Sequence, residues 1–131
     1  MPKYSLILSP NISSTTKIPV FELCVDGNSL FDDFIGSIEV NKTFENEIAG
    51  AIRNLELAAN LLRLPKTKFR EIKQQKLKNK FFEAKHGAVR IYHFQEKHTG
   101  RIIVLGGMKQ NQQIDIKSAI RTIKNYQDEN N

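Results

Sequence analysis

The chain has 131 residues, of which 40% are hydrophobic and 26% charged, and its formal net charge is +6. That size and balance suit one domain with one core, and no run of about 18 apolar residues is present to span a membrane. Cys24 is the only cysteine, so an intrachain disulfide and a Cys-rich zinc site are both excluded.

The charge is unevenly spread. Residues 1–64 carry 5 basic and 8 acidic side chains, a net of −3, whereas residues 65–131 carry 15 and 6, a net of +9. Within 65–101 the count is 11 basic against 3 acidic. A cationic half of this kind favours a polyanionic partner. The N-terminal stretch MPKYSLILSP is too short in its apolar run for a secretory signal, so a reducing cytoplasm is the expected location.

Taken in chain order, residues 1–16 read as an extension, a short strand followed by a Ser/Thr/Asn-rich linker. KIPVFELCV, Lys17 to Val25, is rich in β-formers and predicts a strand with a buried, inert Cys24. Asp26-Gly27-Asn28 is a turn signal. Ser29 with Asp32 resembles a helix cap, and Leu30, Phe31, Phe34, Ile35 and Ile38 follow at helical spacing. That first helix should end near Glu39. A second helix is predicted from about Asn41, with Phe44, Ile48, Ile52, Leu55, Ala59 and Leu62 on one face, until Pro65 stops it.

PKTKFREIKQQKLKN reads as a basic connector. Three strands follow, over Lys80–Lys85, Ala88–Glu96 and Arg101–Leu105. His86-Gly87 and KHTG join them closely enough for hairpins, so the sheet should be antiparallel. The last helix begins near Asn111 to Asp115, with an apolar stripe of Ile116, Ala119, Ile120, Ile123 and Tyr126, and its polar tail QDENN should fray. The class is therefore α+β. A helical hairpin covers one face of a small antiparallel sheet, and the last helix closes an edge or part of the other face.

No P-loop, dinucleotide-binding glycine motif or HExxH is present. His86, His93 and His98 do not sit with carboxylates at ligand spacing, so neither a metal nor a cofactor is expected. Cations on strands stand out instead. Side chains alternate across a strand, so Val89, Ile91 and His93 share one face and Arg90, Tyr92 and Phe94 the other. Across the tight hairpin Lys85 and Arg90 then lie close together on an open face, unless Glu83 simply pairs with one of them as a surface ion pair. In VLGGMKQNQQIDI, Gly106 and Gly107 stand where the strand should end, which suits a sharp turn or a close ligand approach. The helix start beyond them favours anions, and Lys109 adds a point charge. Three cationic positions, Lys85, Arg90 and Lys109, are expected to converge.

GGMKQNQQIDIKSA resembles the Gly-Gly-Asp-Lys-x-x-Gln-x-x-Asp-Ile-x-x-Ala signature of RelE/ParE-superfamily toxins, in the HigB-like or addiction-module killer branch. Gly106, Gly107, Lys109, Gln112, Asp115, Ile116 and Ala119 match it, and Met108 stands in place of its acidic residue. AVRIYHF is similar to the family strand motif, with Arg90 and Tyr92 in register. FFEAKHG is similar to another, with Glu83 matching and Lys85 in place of arginine. FELCVDGNSLFDDFIGSI resembles the usual opening strand, turn and first helix.

The resemblance implies a RelE-like toxin domain over residues 17–131, behind the extension of 1–16. It implies the toxin of a type II toxin–antitoxin pair, a ribosome-dependent mRNA endoribonuclease that needs no metal because the RNA 2′-hydroxyl attacks its own phosphate. Lys85, Arg90 and Lys109 would then be catalytic, and Lys80, Tyr92, Arg101 and Gln112 would contact RNA. The implied partners are the ribosome, mRNA and an antitoxin carrying an acidic segment. Two other readings stay open: a ParE-like toxin that inhibits gyrase without enzymatic activity, and an inactive relative that only binds partners.

Overall fold

The strand expected at KIPVFELCV forms over Val20–Val25 and is β2 of a mixed sheet. The computed structural model describes residues 2–39 and 44–129. β1 (Tyr4–Leu8) runs antiparallel to β2 at the sheet edge, and β3 (Asn28–Ser29) folds back on β2 through the Asp26-Gly27 turn. Helix α1 spans Leu30–Glu39 and α2 spans Glu45–Ala59. Next come β4 (Phe69–Glu71), β5 (Phe81–His86), β6 (Val89–Glu96) and β7 (Gly100–Met108). A single 3₁₀ turn, Lys109–Asn111, leads into α3 (Gln112–Glu129). The expected helix start near Asn41 and the last two residues of the tail lie outside the described residues.

The strand order is β1-β2-β7-β6-β5-β4. The wholly antiparallel expectation is corrected at one place, because β2 and β7 pair parallel, Val20 with Arg101 through Glu22 with Ile103. Local hairpins give the β5–β6–β7 meander, but the β2–β7 contact joins distant segments and no turn signal announces it. β4 forms inside the stretch expected as a connector; only three residues long, it is held by pairing to β5 rather than by its own pattern.

Both faces are covered. Phe31, Ile38, Ile48, Ala51, Leu55 and Ala59 of α1 and α2 pack on Val20, Ala84, Val89, Ile91 and Ile103. On the other face Ala119, Ile120, Ile123 and Tyr126 of α3 pack on Leu23, Phe81, Tyr92, Phe94, Ile102 and Val104. Each fully buried large apolar side chain is worth about 1.5–3 kcal/mol. The alternation along β6 holds, and of the two places expected for α3 it takes the other face of the sheet, so Tyr92 and Phe94 are core. Val104 is the extra residue of a bulge, since Tyr92 pairs with Leu105 while His93 pairs with Ile103.

Helix α2 ends six residues before Pro65. The amides of Leu61 and Leu62 donate to the carbonyls of Ala58 and Leu57, and Leu61 takes a left-handed φ of 67°. This is a Schellman-type stop with leucine where glycine is usual, which leaves Leu62 outside the helix and 54% exposed.

The N-terminal extension is tied into the fold. Glu22 is fully buried and accepts hydrogen bonds from Ser9 Oγ at 2.6 Å, Asn11 Nδ2 at 2.8 Å and Ser29 Oγ at 2.7 Å. Ser29 Oγ also accepts from Asp32 N at 3.0 Å and so caps α1. Ile12 joins the α1/α2 core, and the Ser13 amide donates to Glu56 Oε2. Cys24 is buried and free, its thiol pKa raised by burial and then by Glu22.

Under α2, Arg101 lies over the rings of Phe69 and Phe82, at 5.1 and 4.9 Å from their centroids. His93 stacks on Phe82 and is fully buried. Burial, then the Arg101 charge, pushes the His93 imidazole from its ordinary 6.5 down to about 3, against a smaller upward pull from the Ile91 carbonyl. The folded chain therefore refuses a proton that the unfolded chain accepts, and this group withdraws stability as pH falls from 6.5 toward about 3. His93→Phe keeps the stacked ring and removes the titration. Melting temperatures of wild type and variant should diverge between pH 7 and 4, with the variant losing less; parallel curves would contradict it.

Candidate active site

The β5–β6 hairpin is positioned from above by α2. Gly87 adopts φ 57° at its turn, and a Cβ there would overlap the Glu47 carboxylate. Glu47 Oε1 accepts from Ala88 N at 2.9 Å, and Asn54 Nδ2 donates to the Lys85 carbonyl at 2.8 Å. The backbone that carries Lys85 and Arg90 is thus fixed from the α2 side, while their side chains extend toward the α3 side.

Lys85 pairs directly with Arg90, and Arg90 with Gly107. In the neighbouring row Glu83 pairs with Tyr92, and Tyr92 with Leu105. Glu83 is fully buried. It accepts from Arg70 Nε at 2.5 Å and from Gln112 Nε2 at 3.0 and 3.3 Å, and Lys85 Nζ lies 3.7 Å away. The expected Glu83 ion pair therefore exists, but it is buried and its nearer cation is Arg70. Gln112, at the start of α3, holds Glu83.

Arg90 departs from the expected exposed position. It is buried, and its Nη1 donates to the carbonyls of Gly87 at 2.8 Å and Val89 at 3.0 Å. Its Nε has no hydrogen-bond partner among the described residues. Tyr92 is also fully buried, stacked on Phe81, and its hydroxyl has no partner among the described residues. Burial first, then Glu83 and Asp115, raises the Tyr92 hydroxyl pKa well above its ordinary value, with Arg90 and Arg70 pulling the other way. Tyr92 is therefore a proton-retaining donor, and its ring has no face free to stack on a base.

The other expected residues are dispersed. Arg101 is buried on the opposite face over Phe69 and Phe82, so it does not reach the Lys85–Arg90 face. Lys109 is exposed. Its amide donates to Ala88 O at 2.7 Å, and it borders a groove of about 640 Å³ with Phe34, Ile38, Phe44 and Met108 on the α1 side. It does not join Lys85 and Arg90, because β7 continues extended through both glycines and carries the chain past the hairpin. Lys80 is exposed at the far end of β5.

The glycines serve close packing rather than a turn. A Cβ on Gly106 would strike the Phe34 ring, and one on Gly107 would strike the Asp115 carboxylate. Asp115 thus lies over the end of the Lys85–Arg90–Gly107 row, its carboxyl pKa raised by burial. Asp115 and Arg70 are not among the site residues expected from sequence. The signal for Asp115 was Gly107, a strand position without a side chain, followed eight residues later by an acid in the first turn of a helix. Arg70 sat in a stretch read as connector and gave none. Among the described residues no group of three or more His, Cys, Asp or Glu is placed to hold a metal ion.

Removing either partner of the Arg70–Glu83 pair should have unequal effects. Arg70→Ala leaves a buried carboxylate with only Gln112 and the more distant Lys85, and should cost about 3 kcal/mol. Glu83→Gln leaves Arg70, 37% exposed, free to reach water, and should cost about 1 kcal/mol. Urea unfolding of both variants measures this, and a reversed order would refute the assignment.

Compared with family models, with curated proteins and with solved structures, the chain has no match.

Proposed function

We propose that the chain is a RelE-like toxin of a type II toxin–antitoxin pair, of the HigB-like kind, and that it cuts mRNA on the ribosome. Lys85 and Arg90 carry this reading. They are directly opposed across one hairpin, beside a buried carboxylate, at the foot of a helix start. Two cations so placed suit the charge that develops when a 2′-hydroxyl attacks the adjacent phosphorus. The attack forms a 2′,3′-cyclic phosphate and expels the 5′-oxygen, which takes a proton. The Lys85 ammonium supplies charge and that proton, and the Arg90 guanidinium adds a second positive charge beside the phosphate. Glu83, with Arg70 and Gln112, holds Lys85 beside the hairpin.

The surface supports a polyanionic partner. Lys76, Lys78, Lys97 and Lys124 border a groove of about 700 Å³. It lies at the Glu96 end of β6, six residues from Arg90, or about 20 Å along an extended strand. Ribosomal RNA and the acidic segment of an antitoxin are the partners such a surface takes, and salt should weaken both associations.

Expression of the chain alone should arrest bacterial growth, and primer extension should map cuts inside translated codons that vanish when initiation is blocked. Lys85→Ala should slow cutting by roughly a hundredfold. Arg90→Lys, checked for its melting temperature, tests the guanidinium without emptying the hairpin. Intact mRNA with gyrase-linked DNA breaks would move the chain to the gyrase-inhibiting class. Intact mRNA and intact DNA would leave a partner-binding role.

A further inference from the structure

A strand position that meets a reacting phosphate normally projects its own side chain. In the Lys85–Arg90–Gly107 row the third position has none. The space a side chain would fill at Gly107 is taken by the Asp115 carboxylate, delivered from the first turn of α3. We propose that Asp115 is a further catalytic residue of this site, the general base that accepts the 2′-hydroxyl proton. This rests on the RNA-cleaving reading above.

Among the described residues two carboxylates lie beside the row, and they differ in their partners. Glu83 is fully buried and engaged by Arg70, Gln112 and Lys85. Asp115 is half-buried and makes no hydrogen bond or ion pair among the described residues. Gly107 pairs with Arg90, so the carboxylate that fills the Gly107 side-chain space lies at the Arg90 side of the row. Partial burial makes it a stronger base than a solvated carboxylate.

The step balances without a co-reactant. Asp115 takes the 2′-hydroxyl proton as the 2′-oxygen bonds to phosphorus. The bond from phosphorus to the 5′-oxygen breaks, and the Lys85 ammonium protonates the leaving oxygen. Gly107 is then functional because any larger residue expels the base.

Single-turnover cleavage of ribosome-bound mRNA by the purified chain tests this. Asp115→Asn, isosteric and checked by melting temperature, should cut at least a hundredfold more slowly. It should also lose the rise of rate with pH on the acid side, while binding ribosomes as wild type does. Asp115→Glu should recover part of the rate. Gly107→Ala should match Asp115→Asn, and the double variant should be no slower than either single one, because both changes remove one group. If Asp115→Asn does not fold, carboxyl NMR titration of the wild type decides. Asp115 must then change its titration when a 2′-deoxy dinucleotide is added, and no change overturns the proposal. An Asp115→Asn chain that cuts within threefold of wild type with the same acid limb overturns the role of Asp115 and leaves the RNA-cleaving reading standing. A wild-type chain that cuts no RNA overturns both.

Discussion

Two consecutive glycines in β7 set how closely both helical layers approach the sheet. Gly106 admits the Phe34 ring of α1 from one side, and Gly107 admits Asp115 of α3 from the other. Interiors are packed at crystal-like density, so a methyl group at Gly106 would displace the Phe34 ring and one at Gly107 the Asp115 carboxylate. The same strand pairs with β2 on one edge and β6 on the other. Helix α1, helix α3 and the β5–β6 hairpin all meet this one short stretch of backbone. The candidate site stands where these constraints meet.

Buried charge gives the rest of the structure its specificity. Glu22 and Glu83 are both fully buried, and each is satisfied by groups from separate segments of chain. A buried carboxylate without partners costs several kcal/mol, so each fixes the relation of the segments that serve it. Glu22 binds the N-terminal extension to β3 and the cap of α1. Glu83 binds β4 to the start of α3. Arg101 is held differently, over two aromatic rings, with Nε and Nη1 lacking hydrogen-bond partners among the described residues. An attraction to ring faces offsets part of its desolvation.

Under the proposed function, a division of labour follows from burial. Exposed lysines on the β4–β5 connection, the β6–β7 turn and α3 supply long-range attraction for a polyanion. The groups at the hairpin are sheltered, where electrostatic effects are stronger because water is excluded. Arg90 illustrates the compromise, since its Nη1 donates to the hairpin carbonyls while its Nε is buried without a hydrogen-bond partner among the described residues.

Sequence alone determined what depends on local periodicity and composition. Helical spacing marked α1, α2 and α3, alternation marked the faces of β6, and the basic surplus of residues 65–101 marked the cationic half. It also brought Lys85 and Arg90 together, because a tight hairpin fixes their register within a few residues. Tertiary structure decided everything that rests on distant pairing. The parallel β2–β7 contact and the burial of Tyr92 under α3 come from segments far apart in the chain, and the three-residue β4 comes from pairing with β5 across the intervening connection, so that packing overrides local preference. The continuation of β7 through its glycines moved Lys109 away from the expected cluster. It brought Asp115 in, because a missing side chain on a strand acquires meaning only when the helix above it is in place.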